Sequence, residues 1–371
     1  MVQKVVRVIG VDPGTDSWSV VGLDNEAVIL DTTIPTKRLI EKPTIALEIL
    51  RSLEDIDLIV APSGHGLPLT PIKALTERDL FLMTLKKGAS SKITGLGEIA
   101  KLLKENGFQG YFIPGVKLLS TVPSYRKVNK IDMGTADKVC TAALGIYDQA
   151  RRLNIDYSEV SFILAEMGSG FNAVVGIKNG QIIDGIGGTY GSAGFLACGS
   201  LDGELAYLLE RIYKKTIYGG GAAYIAGYSE LSPEEFILQA NSDEKFQLAK
   251  DFLIEGLLKD IYAITVSLKH PKEILLSGRL AKIDAFYNIL EDRLSEIAPV
   301  RRIKGIPTIQ IAKEAAQGAA LIANGLANGQ FKSLIDQMRL KDAKGTVLDY
   351  IYLYDFEKKL SRANLLSKSE D

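Results

Sequence analysis

The stretch that most constrains this chain is Val5 to Leu23, VVRVIGVDPGTDSWSVVGL, where Asp12, Pro13, Gly14, Thr15 and Asp16 interrupt one apolar run before a second begins. That order reads as strand, tight turn, strand. The turn offers a carboxylate, a small hydroxyl and backbone N–H groups that Gly14 opens to an anion, a set suited to a metal-bound phosphate. A polar hairpin tip uses the same residue types. What weighs against the plain hairpin is a second copy: Val160 to Asp184, VSFILAEMGSGFNAVVGIKNGQIID, again runs strand, acidic and glycine-rich turn, strand, hairpin, strand. Asn179 and Gly180 form the hairpin dipeptide of that copy.

At 371 residues the chain has room for two domains with full cores. A net charge of −1 leaves no electrostatic footprint for nucleic acid or an anionic membrane. No uncharged apolar run reaches membrane-spanning length, and the start MVQKVVRVIGVD lacks the features of a secretory leader, so the expected location is cytoplasmic. Cys140 and Cys198 have no metal spacing and read as reduced, packed thiols.

Glu26 to Ile34 continues the opening hairpin as a third antiparallel strand. Asp57 to Ala61 is a short apolar strand that runs into Pro62, Ser63, Gly64, His65 and Gly66. Ligands meet the loops at the carboxyl ends of parallel strands, which makes Ser63 and His65 candidate substrate contacts; a turn rich in Pro and Gly is the plainer account. Gly110 to Leu119 suggests another strand, and the polar segment Ser120 to Met133, with Arg126, a loop over a cleft. Gly134 to Leu153 is a helix with a narrow small-residue face, capped by Thr135. Asn154 to Glu159 then marks a boundary between domains at 1–155 and 156–345, with 346–371 a C-terminal extension.

In the second half the glycine-rich GIGGTYGSAGFLACGSLDGELAYLL calls for close backbone approach to a ligand or for domain swivelling. Helices follow at Gly203 to Tyr213, Ser232 to Ala240 and Ser242 to Leu268, then a buried strand at Lys272 to Ser277 and a helix at Ile283 to Ile297. Pro307 to Ala312 is expected as a last strand. The helix Ala312 to Leu326 repeats the small-residue face seen at Gly134. A β-prone GTVLDYIYLYDF and a frayed polar tail close the chain.

These residues resemble the actin-like ATPase superfamily of sugar kinases, acetate and butyrate kinases and heat-shock chaperones. Within it they are most similar to the archaeal butyrate kinase-like group, over Val5 to Gly325. The resemblance implies an α/β fold of two actin-like ATPase (ribonuclease H-like) domains, each a mixed five-stranded sheet with helices, duplicated around a nucleotide cleft. It also implies ATP and Mg²⁺ as cofactors, a small-molecule substrate and a homodimer. GVDPGTDSW resembles the first phosphate loop, with Asp12 holding Mg²⁺ and Gly14, Thr15 and Asp16 near the phosphates. AEMGSGFNAVVGIKNGQIID resembles the second, with Gly168, Ser169, Gly170 and Asn172. Acetate and butyrate kinases begin that loop with a histidine where this chain has Glu166, a carboxylate able to bind the metal or accept a substrate proton. ILLSGRLAKIDAF resembles the adenosine motif, placing Ser277, Gly278 and Arg279 against base and ribose. Glu314 lies one residue out of register with an acidic metal-side position of the acyl kinases.

Phosphoryl transfer needs positioning and charge neutralisation above all. Asp12 and Glu166 are the metal-side candidates. Arg126 is either a clamp on an anionic group or a solvated loop charge. The base for a hydroxyl acceptor is Asp137 or Asp202, and Asp137 also suits the first turn of its helix. The expected activity is an ATP-dependent kinase acting on a small carboxylate or hydroxyl substrate. The alternative is a regulatory or partner-binding ATPase driven by nucleotide-dependent cleft closure.

Overall fold

The computed structural model of the protein describes residues 5–86, 95–227, 231–240 and 243–362. Its first strands are β1 (Arg7–Pro13), β2 (Ser17–Asp24) and β3 (Ala27–Pro35). They form the expected antiparallel meander, and Asn25 takes φ 51° in the β2–β3 turn. β4 (Leu58–Val60), β5 (Gly66–Pro71) and β6 (Gly110–Pro114) complete a sheet of order β3-β2-β1-β4-β6-β5, in which β4 lies parallel to both β1 and β6. All three residues of β4 are buried, as a short apolar strand covered on both faces requires.

The second sheet comprises β7 (Ser161–Met167), β8 (Asn172–Lys178), β9 (Gln181–Ile186), β10 (Glu273–Ser277) and β11 (Val300–Arg302), in the order β11-β10-β7-β8-β9. β7 is antiparallel to β8 and parallel to β10, which is parallel to β11. The orders β3-β2-β1-β4-β6 and β9-β8-β7-β10-β11 are one plan executed twice, and the duplicated α/β fold class that the resemblance implies is the one observed. The first sheet has a sixth strand, β5, in residues that read as a loop. It pairs with β6 through Gly66, whose φ is 90° and where any Cβ would overlap the backbone of Gly115.

Two compact units divide the chain differently from a cut at 155. One unit holds Met1–Ile131, Thr135–Cys140 and Thr308–Asp371; the other holds Asp132–Gly134 and Thr141–Pro307. The reason lies in the helix Glu314–Leu326, which packs on β1. A Cβ on Gly10 would overlap the backbone of Ala316, Ala319 and Ala320, and one on Gly318 would overlap the carbonyl of Cys140. Glycine and alanine at these positions let the helix reach the strand and the helix Ala136–Leu153 at backbone distance. In the other unit the core gathers around the helix Glu244–Thr265, with Phe236 stacked 5.8 Å from Phe246 and edge-on to Phe195 at 5.5 Å.

Several expected boundaries move. Residues 307–312 make no strand, because the backbone N–H groups of Gln310, Ile311 and Ala312 all donate to the carboxylate of Asp31. The expected helix 203–213 ends at Leu208, and a separate helix Lys214–Tyr218 begins after Glu210 turns left-handed at φ 50°. The strand expected at 110–119 stops at Pro114 and continues as a 3₁₀ turn, Val116–Leu118. The β-prone segment near the C-terminus forms no strand either. Tyr350 takes φ 62°, and its carbonyl accepts the N–H of Asn129. The polar tail beyond residue 362 lies outside the described residues. Cys140 and Cys198 are unbridged, and among the described residues no helix is long and apolar enough to cross a membrane.

Candidate functional site

In the first unit Asp12 is buried near the end of β1, paired in register with Ser19, while Thr15 and Asp16 are exposed at the tip of the turn. The turn is anchored from the end of β3: the Thr36 hydroxyl donates to the Gly14 carbonyl at 2.8 Å, and the Thr36 N–H to the Asp16 carbonyl at 2.9 Å. Gly14 has no positive φ, so its conformation does not demand glycine. Space does. A Cβ there would overlap the Nζ of Lys313 and the carbonyl of Ser17. The Lys313 ammonium donates to the Ser17 carbonyl at 2.6 Å and its backbone N–H to the Ser19 hydroxyl at 3.2 Å. Lys313 precedes the helix Glu314–Leu326, and nothing in its local sequence links it to a turn so far away in the chain.

The same unit brings residues 62–66 to the start of the helix Ala136–Leu153, through the N–H of Ala136 on the Gly64 carbonyl at 2.9 Å. His65 and Asp137 are thereby placed on neighbouring segments. Ser63 spends its hydroxyl internally, donating to the Ala61 carbonyl at 2.8 Å and accepting the Ile113 N–H at 2.9 Å. Asp137 accepts from Lys138 at 2.5 Å and from the Thr135 hydroxyl. Burial opposes its charge, but the Lys138 ammonium and these hydrogen bonds outweigh burial and hold its carboxyl below the usual carboxylate range. Arg126 lies on the short helix Ser124–Lys127, its guanidinium 5.6 Å from the Tyr125 ring centre.

In the second unit Glu166 pairs in register with Ser277 across β7 and β10, and Met167 with Asn172 across β7 and β8. The Gly168 N–H closes the intervening turn onto the Phe171 carbonyl at 3.0 Å, and Ser169 lies within that closed turn. The Gly170 carbonyl accepts from Leu196 at 3.2 Å and Ala197 at 3.0 Å. Asn172 donates to the Ala193 carbonyl at 3.0 Å, yet among the described residues its buried Oδ1 has no hydrogen-bond partner, and neither has the buried Oγ of Ser277. Unsatisfied buried polar atoms at strand ends call for an explanation, and a bound group is one. Gly278, at φ 89°, lies directly against the Met167 carbonyl, which presses the turn after β10 onto the end of β7.

The glycine-rich segment packs closely against its own unit. Several of its glycines clear other parts of the protein: Gly188 lies against the Phe171 side chain, Gly194 against the Gly170 carbonyl and Gly199 against the Ala193 backbone, and beyond the segment Gly221 lies against the Gly194 and Phe195 carbonyls. It is the buttress of the second turn. Asp202 caps the helix Gly203–Leu208, accepting from Glu204 at 2.9 Å and Leu205 at 3.2 Å. Arg279, expected against a base and ribose, forms an ion pair with Glu234 at 2.8 Å. Among the described residues no group of three or more His, Cys, Asp or Glu could hold a metal ion.

A family model described as "Protein of unknown function (DUF1464)" matches residues 10–353. The UPF0285 protein of Methanocaldococcus jannaschii is 25% identical over 337 residues, 87% of this chain and 96% of that protein. The acetate kinase of Porphyromonas gingivalis superposes with a TM-score of 0.60 at 14% identity, over 85% of this chain and 98% of its own. The propionate kinase of Francisella tularensis gives 0.61 at 12% identity, over 84% and 98%. At such identities the likeness is one of fold alone, the duplicated actin-like ATPase fold.

Proposed function

We propose, for a chain that belongs to the family described as "Protein of unknown function (DUF1464)", that it is a phosphotransferase moving the γ-phosphoryl group of Mg²⁺-bound ATP to a small carboxylate or hydroxyl acceptor. One observation carries the reading: both sheets place an acidic residue, Asp12 or Glu166, at the end of the first strand of a hairpin, immediately before a glycine turn. The unpartnered Asn172 Oδ1 and Ser277 Oγ beside the second turn support it.

Magnesium at phosphoryl-transfer sites is held by one or two carboxylates together with water and substrate phosphates, and Asp12 and Glu166 are each a carboxylate of the kind such a site takes. With a hydroxyl acceptor, the acceptor oxygen bonds to the γ-phosphorus, the bond to the bridging oxygen breaks, and the proton passes to a carboxylate. Glu166, where the acyl kinases place a histidine, favours that acceptor class over a simple acyl carboxylate. Asp137, held ionised by Lys138, is the second candidate base.

Calorimetric titration of Mg²⁺-ATP into the native protein and Asp12→Ala tests the reading. Native binding, weakened at least about tenfold (about 1.4 kcal/mol) by the substitution, is the expected result. No native binding, or equal binding by both proteins, overturns it. A screen of short acids and polyols for ADP release then identifies the acceptor.

A partner-binding ATPase is the second reading, favoured by exposed apolar residues at the end of the glycine-rich segment and just beyond it: Leu205, Tyr207, Leu208 and Tyr213, with Tyr207 78% exposed. Partner capture that depends on nucleotide, without a phosphorylated small product, would select it.

A further inference from the structure

Taking the nucleotide reading as its base, we infer that Lys313 is the phosphate-binding cation of the first turn. Its ammonium, in the space that Gly14 leaves, pairs with the terminal phosphate oxygens of a nucleoside triphosphate.

The side chains of that turn are otherwise acidic or neutral: Asp12, Thr15, Asp16 and Ser17. A polyphosphate meeting Asp12 and Asp16 needs positive charge beyond a metal ion, and the second turn opens with Glu166 rather than a cation. Lys313 supplies the charge from outside the local sequence. Its ammonium has three donor positions. One is used, on the Ser17 carbonyl at 2.6 Å, and Lys313 forms no ion pair among the described residues.

The position is fixed by three independent supports. Asp31 grips the N–H groups of Gln310, Ile311 and Ala312 at 2.8, 3.0 and 2.7 Å, so the backbone leading into Lys313 is held. The Lys313 N–H is tied to the Ser19 hydroxyl, which is itself bonded to the Thr33 hydroxyl at 2.8 Å. The helix that follows is locked against β1 at Gly10. Only the end of a long, flexible stem stays adjustable, which suits a point charge that must follow phosphate oxygens. The same arrangement accounts for Gly14: alanine there would evict the ammonium.

The test is an equilibrium titration of the full chain with Mg²⁺-ATP, ADP and AMP, comparing native protein, Lys313→Met and Lys313→Arg. Melting temperatures without nucleotide establish that each variant folds. Lys313→Met should lose at least tenfold in ATP affinity, bind AMP nearly as the native protein does, and show a shallower salt dependence. Lys313→Arg should keep most of the affinity. A purely structural lysine would not erase the dependence on phosphate number. Should Lys313→Met fail to fold, acetylation of the native protein decides: Mg²⁺-ATP should protect Lys313, as read by mass spectrometry, and absence of protection overturns the inference. Native binding of ATP with an unchanged Lys313→Met overturns the role of Lys313 and leaves the kinase reading standing. Absence of binding by the native protein removes both.

Discussion

Lys117 is nearly inaccessible, 3% exposed, and its ammonium donates to the carbonyls of Val347, at 2.6 Å, and Lys130. Burial pushes its pKa down to about 8, against a partly compensating pull from Asp349. The unfolded chain therefore holds a proton on this lysine between about pH 8 and the ordinary lysine range while the folded chain does not, so stability rises with pH across that window. Urea unfolding from pH 7 to 10 should show that rise in the native protein and a flatter profile in Lys117→Met. Glu273 is the converse, a buried carboxylate with partners: Gln149 at 2.6 Å, Arg301 at 3.4 Å, and Arg152. Glu273→Ala strands the Arg152 guanidinium, itself half-buried, and should cost about 3 kcal/mol in urea denaturation. Asp12 was legible in sequence because its turn is local. Lys117, Lys313 and Glu273 were not, because their partners are far away in the chain and a lone lysine or glutamate has no periodicity to betray it.

Among the elements, the two hairpin sets were readable because alternation and turn dipeptides are short-range signals; the helix Glu314–Leu326 was readable as a helix, but its neighbour was not. Its Ala and Gly face required some close partner, and the structure shows several: β1 at Gly10, the helix Ala136–Leu153 at Cys140 and the Phe331 carbonyl at Gly325. Gly10→Ala or Gly318→Ala places a methyl group against backbone that no rotamer change can clear, and each should lower stability by about 1–3 kcal/mol or more, measured by thermal or urea unfolding. Gly97→Ala, on the helix Leu96–Glu105, where beyond its own helix and chain neighbours no atom of the described residues comes within 4 Å of the added carbon, serves as the control and should be neutral or mildly stabilising. β5 was missed because it is short, begins with glycine and holds two prolines, and its pairing with β6 is a tertiary event.

For the whole molecule, the residues after 345 are part of the first unit and no loose appendage, at least as far as Tyr352. Val347 is buried, its carbonyl receives the Lys117 ammonium, and Asn129 is bonded to Tyr350 through its N–H and to the Tyr352 N–H, at 2.7 Å, through its side chain. Deleting residues 346–371 should therefore lower the melting temperature and move the pH dependence assigned to Lys117 toward higher pH, a coupled result that loss of a mere tail would not produce. The sequence alone determined that this chain is built twice on one plan and that each copy carries an acidic glycine turn, because strand alternation and hairpin chemistry are written within a few residues. Only the tertiary structure decided where the units divide, what braces the second turn, and what occupies the space beside Gly14. A glycine reads the same in sequence whether its missing side chain makes way for a helix, a carbonyl or an ammonium. Contacts between residues far apart in the chain are settled by packing.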